Sequence, residues 1–495
     1  MAMVLNYHNA RLKGLLPIGF SKNAKPPYPI LHFGVGGFHR SHQAWALQQL
    51  LNKHPAKFSN WGITGVNVMP QDLAFVKALR AQDGLYFVQR YAPEGTQTTE
   101  LITTIKEILH VAEDYDTILQ RIASPETKII SFTITEGGYN VDLSQNRFIW
   151  ETSTVQEDLK KQGIPKTVFR ILAEGLKLRK EACDEGIVLL SCDNVQHNGD
   201  VLRLALLEFL HRYDSSMIDW VQQKAAFIKT MVDRITPVTT PQQKNDLLQQ
   251  VDIQDNCLVV CEDFFQWVIE EHPALADFPL QEMGATLVDD VAPFEEMKLR
   301  LLNGGHSLTG LLGDALGYDR IHTAIKDTGI HSVYMHYCNK EVIPTLSFIN
   351  GVHYNDYVEQ LVARFGNPMI NDSTARIISG STDKLPKFVL PVIWDQLRQN
   401  SPQIRIGVFI LAAWYYYLDR EFKKNQMREV QDQHRDLLMQ LFSEPGWEAS
   451  MFMDRVPMLH SIKDAPIVRE LFLQYVNDFL SREARAVIHQ LLQQV

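Results

Sequence analysis

No uncharged apolar run in this sequence approaches the roughly 20 residues that cross a bilayer as a helix. The opening segment, MAMVLNYHNARLKGLL, interrupts its short apolar stretches with Asn and Arg. It therefore lacks the apolar core and the small-residue cleavage site of a secretory signal. We expect a soluble, cytoplasmic protein with no membrane partner.

Cysteine is scarce, with five residues in a chain of 495. The five are too few and too scattered for a disulfide framework. Cys257 and Cys261 are four apart, but no second pair and no nearby histidine completes a zinc site with them. We expect buried free thiols and no bound metal.

Basic residues are fewer than acidic ones: the chain has 48 Lys and Arg and 58 Asp and Glu, and its formal net charge is −10. A protein that follows a phosphate backbone presents a basic face, so this balance argues against a nucleic-acid partner. Hydrophobic residues make up 45% and charged residues 21%, which is typical of a folded globular chain. The length exceeds that of one ordinary core and indicates two domains.

The chain has two parts of different character. In residues 1–292, short apolar runs alternate with stretches of helical periodicity, a pattern that predicts a parallel sheet covered by helices on both faces. The predicted strands are Ile30–Phe33, Ile63–Val68, Lys128–Thr135, Ile187–Cys192, Leu258–Cys261 and Thr286–Val288. In residues 293–495 helical periodicity dominates; the predicted helices are Glu295–Leu312, Thr323–Tyr337, Tyr354–Phe365, Pro391–Arg398, Ile404–Asp419 and Pro466–Leu492.

A glycine turn follows the first predicted strand in the segment PILHFGVGGFHR, residues 29–40. Gly34 permits a tight turn, and Gly36 lets the backbone approach a pyrophosphate at the N-terminus of a helix that we expect to begin near Ser41–His42. His39 occupies the place of the third glycine of the usual G-x-G-x-x-G, and a plain strand–turn–helix is the alternative. The turn's place at the first strand favours a Rossmann-like dinucleotide-binding domain, with cofactor contacts from Gly34, Val35, Gly36, Gly37 and Phe38.

Asp72 follows the second predicted strand, where the adenosine ribose binds in such domains. A carboxylate there accepts hydrogen bonds from the ribose hydroxyls and repels a 2′-phosphate. The residue therefore favours NAD over NADP. Its alternative role is that of a helix cap.

The stretch FEEMKLRLLNGGHSLT, residues 294–309, is the most informative. On an ideal α-helix Lys298 and Asn303 lie about 140° apart, with His306 between them. Gly304 and Gly305 each lower helix propensity by about 1 kcal/mol, so their presence indicates a reason such as the close approach of another backbone. The alternative is a surface helix with a solvated lysine.

Oxidation of a secondary alcohol requires removal of the hydroxyl proton as hydride leaves the carbon. A lysine can remove it where burial and a cationic nicotinamide bring the lysine pKa towards neutrality. The developing alkoxide needs hydrogen-bond donors, which Asn303 and the segment SCDNVQHN, residues 191–198, can supply. The alternative for the latter segment is an Asx-turn that starts the next helix.

The chain resembles the polyol-specific long-chain mannitol dehydrogenases, a family that also includes fructuronate and related uronate reductases. The resemblance extends through most of the chain, in the motifs GVGGFHRSHQA from Gly34, TITEGGY from Thr133, SCDN from Ser191, MVDRITP from Met231, FEEMKLRLLNGGHS from Phe294 and KLPKF from Lys384. It implies an α/β Rossmann-like, mostly parallel sheet domain over residues 1–292, followed by a mainly α-helical substrate-binding domain over residues 293–495.

The resemblance also implies catalytic roles. Lys298 is the general base, and Asn194 and Asn303 form the oxyanion hole. Glu295 assists proton exchange between the buried lysine and solvent. The chemistry is independent of metal.

For substrate binding, the resemblance implies that Asp233 and His306 position the reacting region, while Arg376 and Lys384 bind the outlying hydroxyls. The expected reaction is the NAD-dependent interconversion of a C6 polyol and its ketose, D-mannitol and D-fructose. Family members of this kind are often monomeric.

Two departures from the family pattern leave the substrate open. Mannitol dehydrogenases often carry two adjacent carboxylates after the second strand, whereas this chain has Gln71 and Asp72. Residues 66–70, VNVMP, resemble fructuronate reductases, whereas EGGY (136–139) and PKF (386–388) resemble mannitol enzymes. A uronate reductase is therefore the alternative, and a catalytically silent dinucleotide sensor is a remote one.

Overall fold

The computed structural model describes residues 3–16, 26–143 and 145–495. Contacts between backbone positions divide the chain into two units, residues 1–92 with 96–292, and residues 93–95 with 293–495. Within the described ranges, no helix has both the length and the apolar composition needed to cross a membrane.

The first unit is built on a fully parallel sheet of six strands. Its order is β10-β9-β6-β1-β2-β5, the doubly wound order in which the chain changes direction between β1 and β6. The strands of the described chain are β1 (Ile30–Phe33), β2 (Ile63–Asn67), β3 (Tyr86–Tyr91), β4 (Gln97–Ile102), β5 (Ile105–His110), β6 (Ile129–Phe132), β7 (Val141–Asp142), β8 (Arg147–Phe148), β9 (Ile187–Ser191), β10 (Ala225–Ile228), β11 (Thr230–Asp233), β12 (Val259–Glu262), β13 (Gln266–Glu270) and β14 (Thr286–Val288).

Helices cover both faces of this sheet. Leu31 and Phe33 of β1 join the apolar core on one face, and Ile30 joins the core on the other, because successive strand residues point to opposite sides. The helices are α1 (Tyr7–Leu12), α2 (Gly37–Ser41), α3 (Gln43–Lys53), α4 (Leu73–Ala81), α5 (Val111–Ala123), α6 (Thr135–Gly138), α7 (Ser153–Leu159), α8 (Val168–Ala182), α9 (Asn198–Tyr213), α10 (Ile218–Lys224) and α11 (Pro241–Val251). Helices α5, α8 and α9 share the core of Leu31, and α3 and α4 share that of Ile30.

Smaller sheets complete the first unit. Strands β12, β3 and β4 form one, β11, β13 and β14 form a second, and β7 pairs with β8. A capping box marks the start of α11, where Thr240 accepts from the backbone of Gln243 and the Gln243 side chain accepts from the backbone of Thr240.

The described part of the second unit is mainly helical. Its α-helices are α12 (Ala292–Met297), α13 (Gly304–Ala315), α14 (Ile321–Ala324), α15 (Thr328–His336), α16 (Tyr354–Phe365), α17 (Thr374–Ile378), α18 (Ser381–Phe388), α19 (Leu390–Leu397), α20 (Arg405–Lys423), α21 (Arg435–Phe442), α22 (Ala449–Arg455), α23 (Pro466–Ser481) and α24 (Ala484–Leu492). Two π-helices, Lys298–Asn303 and Tyr337–Val342, interrupt this series. The predicted fold class, a parallel-sheet part followed by a helical part, is confirmed.

Three predicted helices of this unit are wrong in their continuity. The expected helix Thr323–Tyr337 is interrupted at residues 325–327, between α14 and α15. The expected helix Glu295–Leu312 is α12, the π-helix and α13 in succession. The expected helix Pro466–Leu492 is α23 and α24, because Arg482 takes an extended conformation with φ −140° and ψ 163°.

Candidate active site

The glycine turn lies at the carboxyl end of β1, beside the point where the sheet order reverses. Gly34 has φ +93°, and a Cβ added to it would lie 2.2 Å from the carbonyl oxygen of Thr133. Its N–H donates to the carbonyl of Val66 at 2.9 Å. Gly34 is therefore required by the fold itself.

Gly36 has a different role from Gly34. A Cβ placed on it would meet only the Gly34 carbonyl oxygen, at 3.9 Å, so the fold tolerates a side chain here. The open space beside this backbone suits the close approach of a ligand at the start of α2. Helix α2 begins at Gly37 and not near Ser41–His42, because Gly36 already provides the extended cap and His42 interrupts the helix before α3.

The other two predicted cofactor residues of the turn contribute to its packing. Val35 is buried, and its side chain fills the space that a Cβ added to Gly65 would occupy. Phe38 stacks on His42 with ring centroids 4.9 Å apart. With these side chains engaged, a bound phosphate would meet the backbone of residues 36 and 37.

His39 fills the place of the missing third glycine by stacking on His32. The ring centroids are 3.4 Å apart at an angle of 14°. Burial lowers the pKa of His32 to about 3 and holds the pKa of His39 well below its usual value, so two neutral rings stack without charge repulsion. His32 in turn lies at hydrogen-bonding distance from Ser131 and Thr133, at 2.8 and 2.9 Å. Within the described ranges, no three His, Cys, Asp or Glu side chains form a group suited to a metal ion.

Asp72 ends the short 3-10 helix Pro70–Asp72 that follows β2. Its side chain does not cap α4; its carboxylate accepts a hydrogen bond from Nδ2 of Asn67 at 3.1 Å. Asn67 is buried, and its Oδ1 has no hydrogen-bond partner among the described residues. The pair thus presents a carboxylate and an unused amide oxygen at the end of β2. The sequence reasoning missed Asn67, although a polar last residue of a buried strand is a usable signal.

Replacement of Asp72 by alanine is expected to raise the KM for NAD by about 10- to 100-fold and to reduce the preference for NAD over NADP. The reason is the loss of a charged acceptor for the ribose hydroxyls, whose hydrogen bonds contribute about 1.5–3 kcal/mol. Initial rates with each dinucleotide measure the effect. Asp116→Ala, at an exposed aspartate of α5, is the control. Unchanged KM values for both dinucleotides in Asp72→Ala would contradict the assignment.

Asn194 is exposed in the loop between β9 and α9. The loop is held by Asn198, whose Nδ2 donates to the carbonyl oxygens of Asp193 at 3.0 Å and Thr230 at 2.8 Å. Asp233, the buried last residue of β11, belongs to the strand that Thr230 begins. Asn198 thereby connects the segment that carries Asn194 to the strand that carries Asp233. Sequence reasoning missed Asn198 because Thr230, one of its two partners, lies 32 residues away in the chain.

Lys298, Glu295 and His306 are buried in the second unit. The Lys298 residue is only 7% exposed, so the alternative of a solvated surface lysine is wrong. Asn303 is half-buried, and its Oδ1 is a buried acceptor without a donor among the described residues. The ideal-helix angle between Lys298 and Asn303 is also wrong, because the wider i→i+5 turns of the π-helix bring residues five apart towards the same side.

Gly304 and Gly305 lie where the side chains of two aromatic residues approach the helix closely. A Cβ on Gly305 would lie 2.3 Å from the ring of Tyr334, and one on Gly304 would lie 3.2 Å from the hydroxyl of Tyr337. The two glycines therefore permit packing of α13 against α15 and the second π-helix. At Gly305 the close neighbour is a side chain and not the backbone that was expected.

The remaining predicted substrate residues lie on or beside helices packed around α13. His306 stacks on Phe365 with ring centroids 4.0 Å apart. The Arg376 side chain is 62% exposed, and Asp372 accepts hydrogen bonds from its Nε at 2.5 Å and from its Nη2, which raises the guanidinium pKa. Nζ of Lys384 donates to the carbonyl of Ile377 at 2.9 Å, and burial, followed by the nearby Arg376 charge, lowers the Lys384 pKa.

Comparisons with known proteins place the chain among similar sequences. A family model described as the mannitol dehydrogenase Rossmann domain matches residues 28–281, and one described as the mannitol dehydrogenase C-terminal domain matches residues 290–470. Mannitol dehydrogenase 2 of Saccharomyces cerevisiae is 34% identical over 415 residues, 82% of each chain. The polyol:NADP oxidoreductase of Gluconobacter oxydans is 36% identical over 372 residues, 73% of this chain and 76% of that protein.

A solved structure extends the likeness to three dimensions. The Pseudomonas fluorescens mannitol 2-dehydrogenase, in a ternary complex with NAD and D-mannitol, matches with a TM-score of 0.86 and 30% identity. The match covers 100% of both chains.

Proposed function

Because the chain belongs to the mannitol dehydrogenase family, we propose that it catalyses the NAD-dependent interconversion of D-mannitol and D-fructose, with Lys298 as the general base. The observation that carries this proposal is the burial of Lys298 on a π-helix that also bears Asn303. The Oδ1 of Asn303 is a buried acceptor without a donor among the described residues, which is costly unless a ligand supplies one.

Residues of the first unit are suited to hold NAD, which supplies the hydride acceptor when bound. The open backbone at Gly36 would receive the pyrophosphate, and Asp72 with Asn67 would receive the adenosine ribose. The unused Oδ1 of Asn67 supports this fit, because it needs a donor such as a ribose hydroxyl. The single carboxylate at Asp72 favours NAD over NADP.

Lys298 would take the proton of the mannitol C2 hydroxyl as the hydride leaves that carbon. This step needs the neutral amine. The amides of Asn194 and Asn303 would donate to the oxygen as it gains negative charge. Glu295, buried on α12 three residues before the lysine, would pass the proton on towards solvent.

The substrate class follows from the charges around the proposed binding residues. The guanidinium of Arg376 is already paired with Asp372, and the ammonium of Lys384 is engaged by backbone carbonyls. Cations so engaged suit the neutral hydroxyls of a hexitol, whereas a uronate carboxylate would demand an uncommitted cation. Asp233 and His306 would orient the end of the substrate that reacts.

The test is a comparison of specificity constants for mannitol, fructose and fructuronate with NAD(H) and NADP(H). We expect kcat/KM for fructose to exceed that for fructuronate by at least about 10-fold, because Arg376 and Lys384, the cations proposed to bind the substrate, are already engaged by other groups. A preference for fructuronate would overturn the substrate. Tight NADH binding without turnover of any polyol or ketose would overturn the catalytic proposal.

Replacement of Lys384 by alanine is expected to raise the KM for fructose by about 10-fold, with a smaller change in kcat. The lysine would hold hydroxyls remote from the reacting carbon, and a hydrogen bond to a charged group contributes about 1.5–3 kcal/mol. Steady-state kinetics at saturating NADH measure the KM for fructose and kcat separately. Lys423→Ala, at an exposed lysine of α20, is the control. A fall in kcat with an unchanged KM would contradict a role in substrate binding.

A further inference from the structure

One buried carboxylate joins two loops at the carboxyl ends of the neighbouring strands β6 and β9. Oδ2 of Asp193 accepts hydrogen bonds from the Ile134 N–H at 2.9 Å and the Tyr139 hydroxyl at 2.7 Å. Oδ1 accepts from the Thr135 N–H at 2.8 Å. Thr135 has φ +62°, a left-handed conformation that a β-branched residue rarely adopts. The carboxylate therefore stabilises a disfavoured turn.

The loop that Asp193 binds also contacts the glycine turn. The hydroxyl of Thr133 donates to the carbonyl of Gly34 at 2.7 Å. The Thr133 carbonyl occupies the space in which a side chain of Gly34 would lie. Residues 133–139 thus touch the proposed cofactor turn at one end and Asp193 at the other.

Asp193 also precedes Asn194, the proposed oxyanion donor. The carbonyl of Asp193 accepts from Asn198, and the Ser191 carbonyl accepts from the Thr230 hydroxyl at 2.6 Å. The backbone that precedes Asn194 is consequently held in place, whereas the residue itself is exposed. A small movement of this loop would displace the amide from the reacting oxygen.

We propose that Asp193 is a positioning residue that holds Asn194 and residues 133–139 in the geometry for hydride transfer, and that it does so only as a carboxylate. This inference rests on the proposed function. Two of the three groups that donate hydrogen bonds to Asp193 are backbone N–H groups, which cannot act as acceptors instead. A protonated Asp193 would direct its own O–H at one of these donors, so one contact would be lost.

Burial shifts the protonation of Asp193 towards neutral pH. Burial raises the pKa of Asp193 to about 6, against the opposing effect of its three donors. The titratable neighbours that interact with it are Tyr139 and Cys192; both remain protonated, because burial raises their pKa values. Below about pH 6 the contact should therefore weaken.

The experiment compares Asp193→Asn with the wild type in fructose reduction from pH 5 to 8. Asparagine keeps the shape of the aspartate side chain, but its NH2 group would face one of the three groups that donate to Asp193, so that hydrogen bond would be lost. We expect kcat to fall about 10- to 100-fold, as misplacement of a reacting group by about 1 Å does. The Kd for NADH should stay within about 3-fold, and the fall in kcat below pH 6 should disappear.

Asp158→Asn is the matched control. Asp158 is also a buried carboxylate of the first unit, and it accepts from the N–H of Lys166 at 2.9 Å and from the N–H and hydroxyl of Thr167 at 2.8 Å each. It holds a loop next to α7 that carries no proposed site residue. We expect this variant to lose stability but to keep kcat and its pH dependence.

Two outcomes would overturn the inference. The first is that both variants lose stability alike, while Asp193→Asn keeps kcat within about 2-fold and retains the fall below pH 6. The second is a wild type without mannitol or fructose turnover, which would overturn the proposed function and the inference with it. Should Asp193→Asn not fold, Tyr139→Phe removes one donor only; we expect a smaller loss of kcat with unchanged NADH binding, and full activity of that variant would contradict the role of Asp193.

Discussion

Replacement of Lys298 by alanine is expected to lower kcat for mannitol oxidation at neutral pH by about 100- to 10 000-fold. The methyl group leaves no base within the buried π-helix to take the hydroxyl proton, so hydride transfer would have to proceed without that assistance. NADH binding should change by less than about 2-fold, because the lysine acts on the alcohol and not on the dinucleotide. Steady-state rates and NADH fluorescence titration measure the two effects separately.

Lys340→Ala provides the control for this variant. Lys340 is an exposed lysine on the second π-helix, Tyr337–Val342, so it matches the residue type and the local backbone without the burial. Its removal should leave kcat unchanged. A Lys298→Ala variant with near-normal mannitol oxidation would show that the base lies elsewhere.

Replacement of Gly34 by alanine is expected to destabilise the first unit by more than about 3 kcal/mol and to lower Tm by at least about 6 °C. The added Cβ would lie 2.2 Å from a backbone carbonyl oxygen, and φ +93° is strained for alanine. Thermal unfolding without dinucleotide measures this effect free of ligand stabilisation.

Gly36→Ala and Gly163→Ala separate the causes of that loss. Gly36 has room for a Cβ, so its variant should keep its Tm but bind NAD at least about 10-fold more weakly, because the methyl group fills the space proposed for the pyrophosphate. Gly163 has φ +64° with no atom near the Cβ position, so its variant should report the backbone strain alone, about 1 kcal/mol. An unaltered NAD affinity in Gly36→Ala would contradict the assignment of the turn.

The strands of the first unit were predictable to different degrees. The runs Ile30–Phe33 and Thr286–Val288 were predicted with their observed bounds, because consecutive apolar or β-branched residues between turns indicate strands. Strand β5, IKEILH, and strand β4, QTTELI, were missed. Their polar residues hide the strand pattern, and only pairing with β2 and β3 identifies them.

The proposed site divides in the same way. Residues that act through a local motif, such as Gly34 in its turn and Lys298 beside its glycine pair, were recognisable from the order of amino acids along a few turns of chain. The burial of Lys298 and the close contact at Gly34 could be recognised only from the fold, because segments distant in the chain create both.

The lysine, the glycine turn and the family motifs could be read from the amino-acid sequence because each is defined by near neighbours along the chain. Asn67, Asp193 and Asn198 emerged only in three dimensions. Asp193 meets its donors more than 50 residues away, and Asn198 meets Thr230 across 32 residues. Hydrogen bonds that cross between strands have no periodicity in the sequence, so tertiary structure alone decided which polar residues hold the site in place.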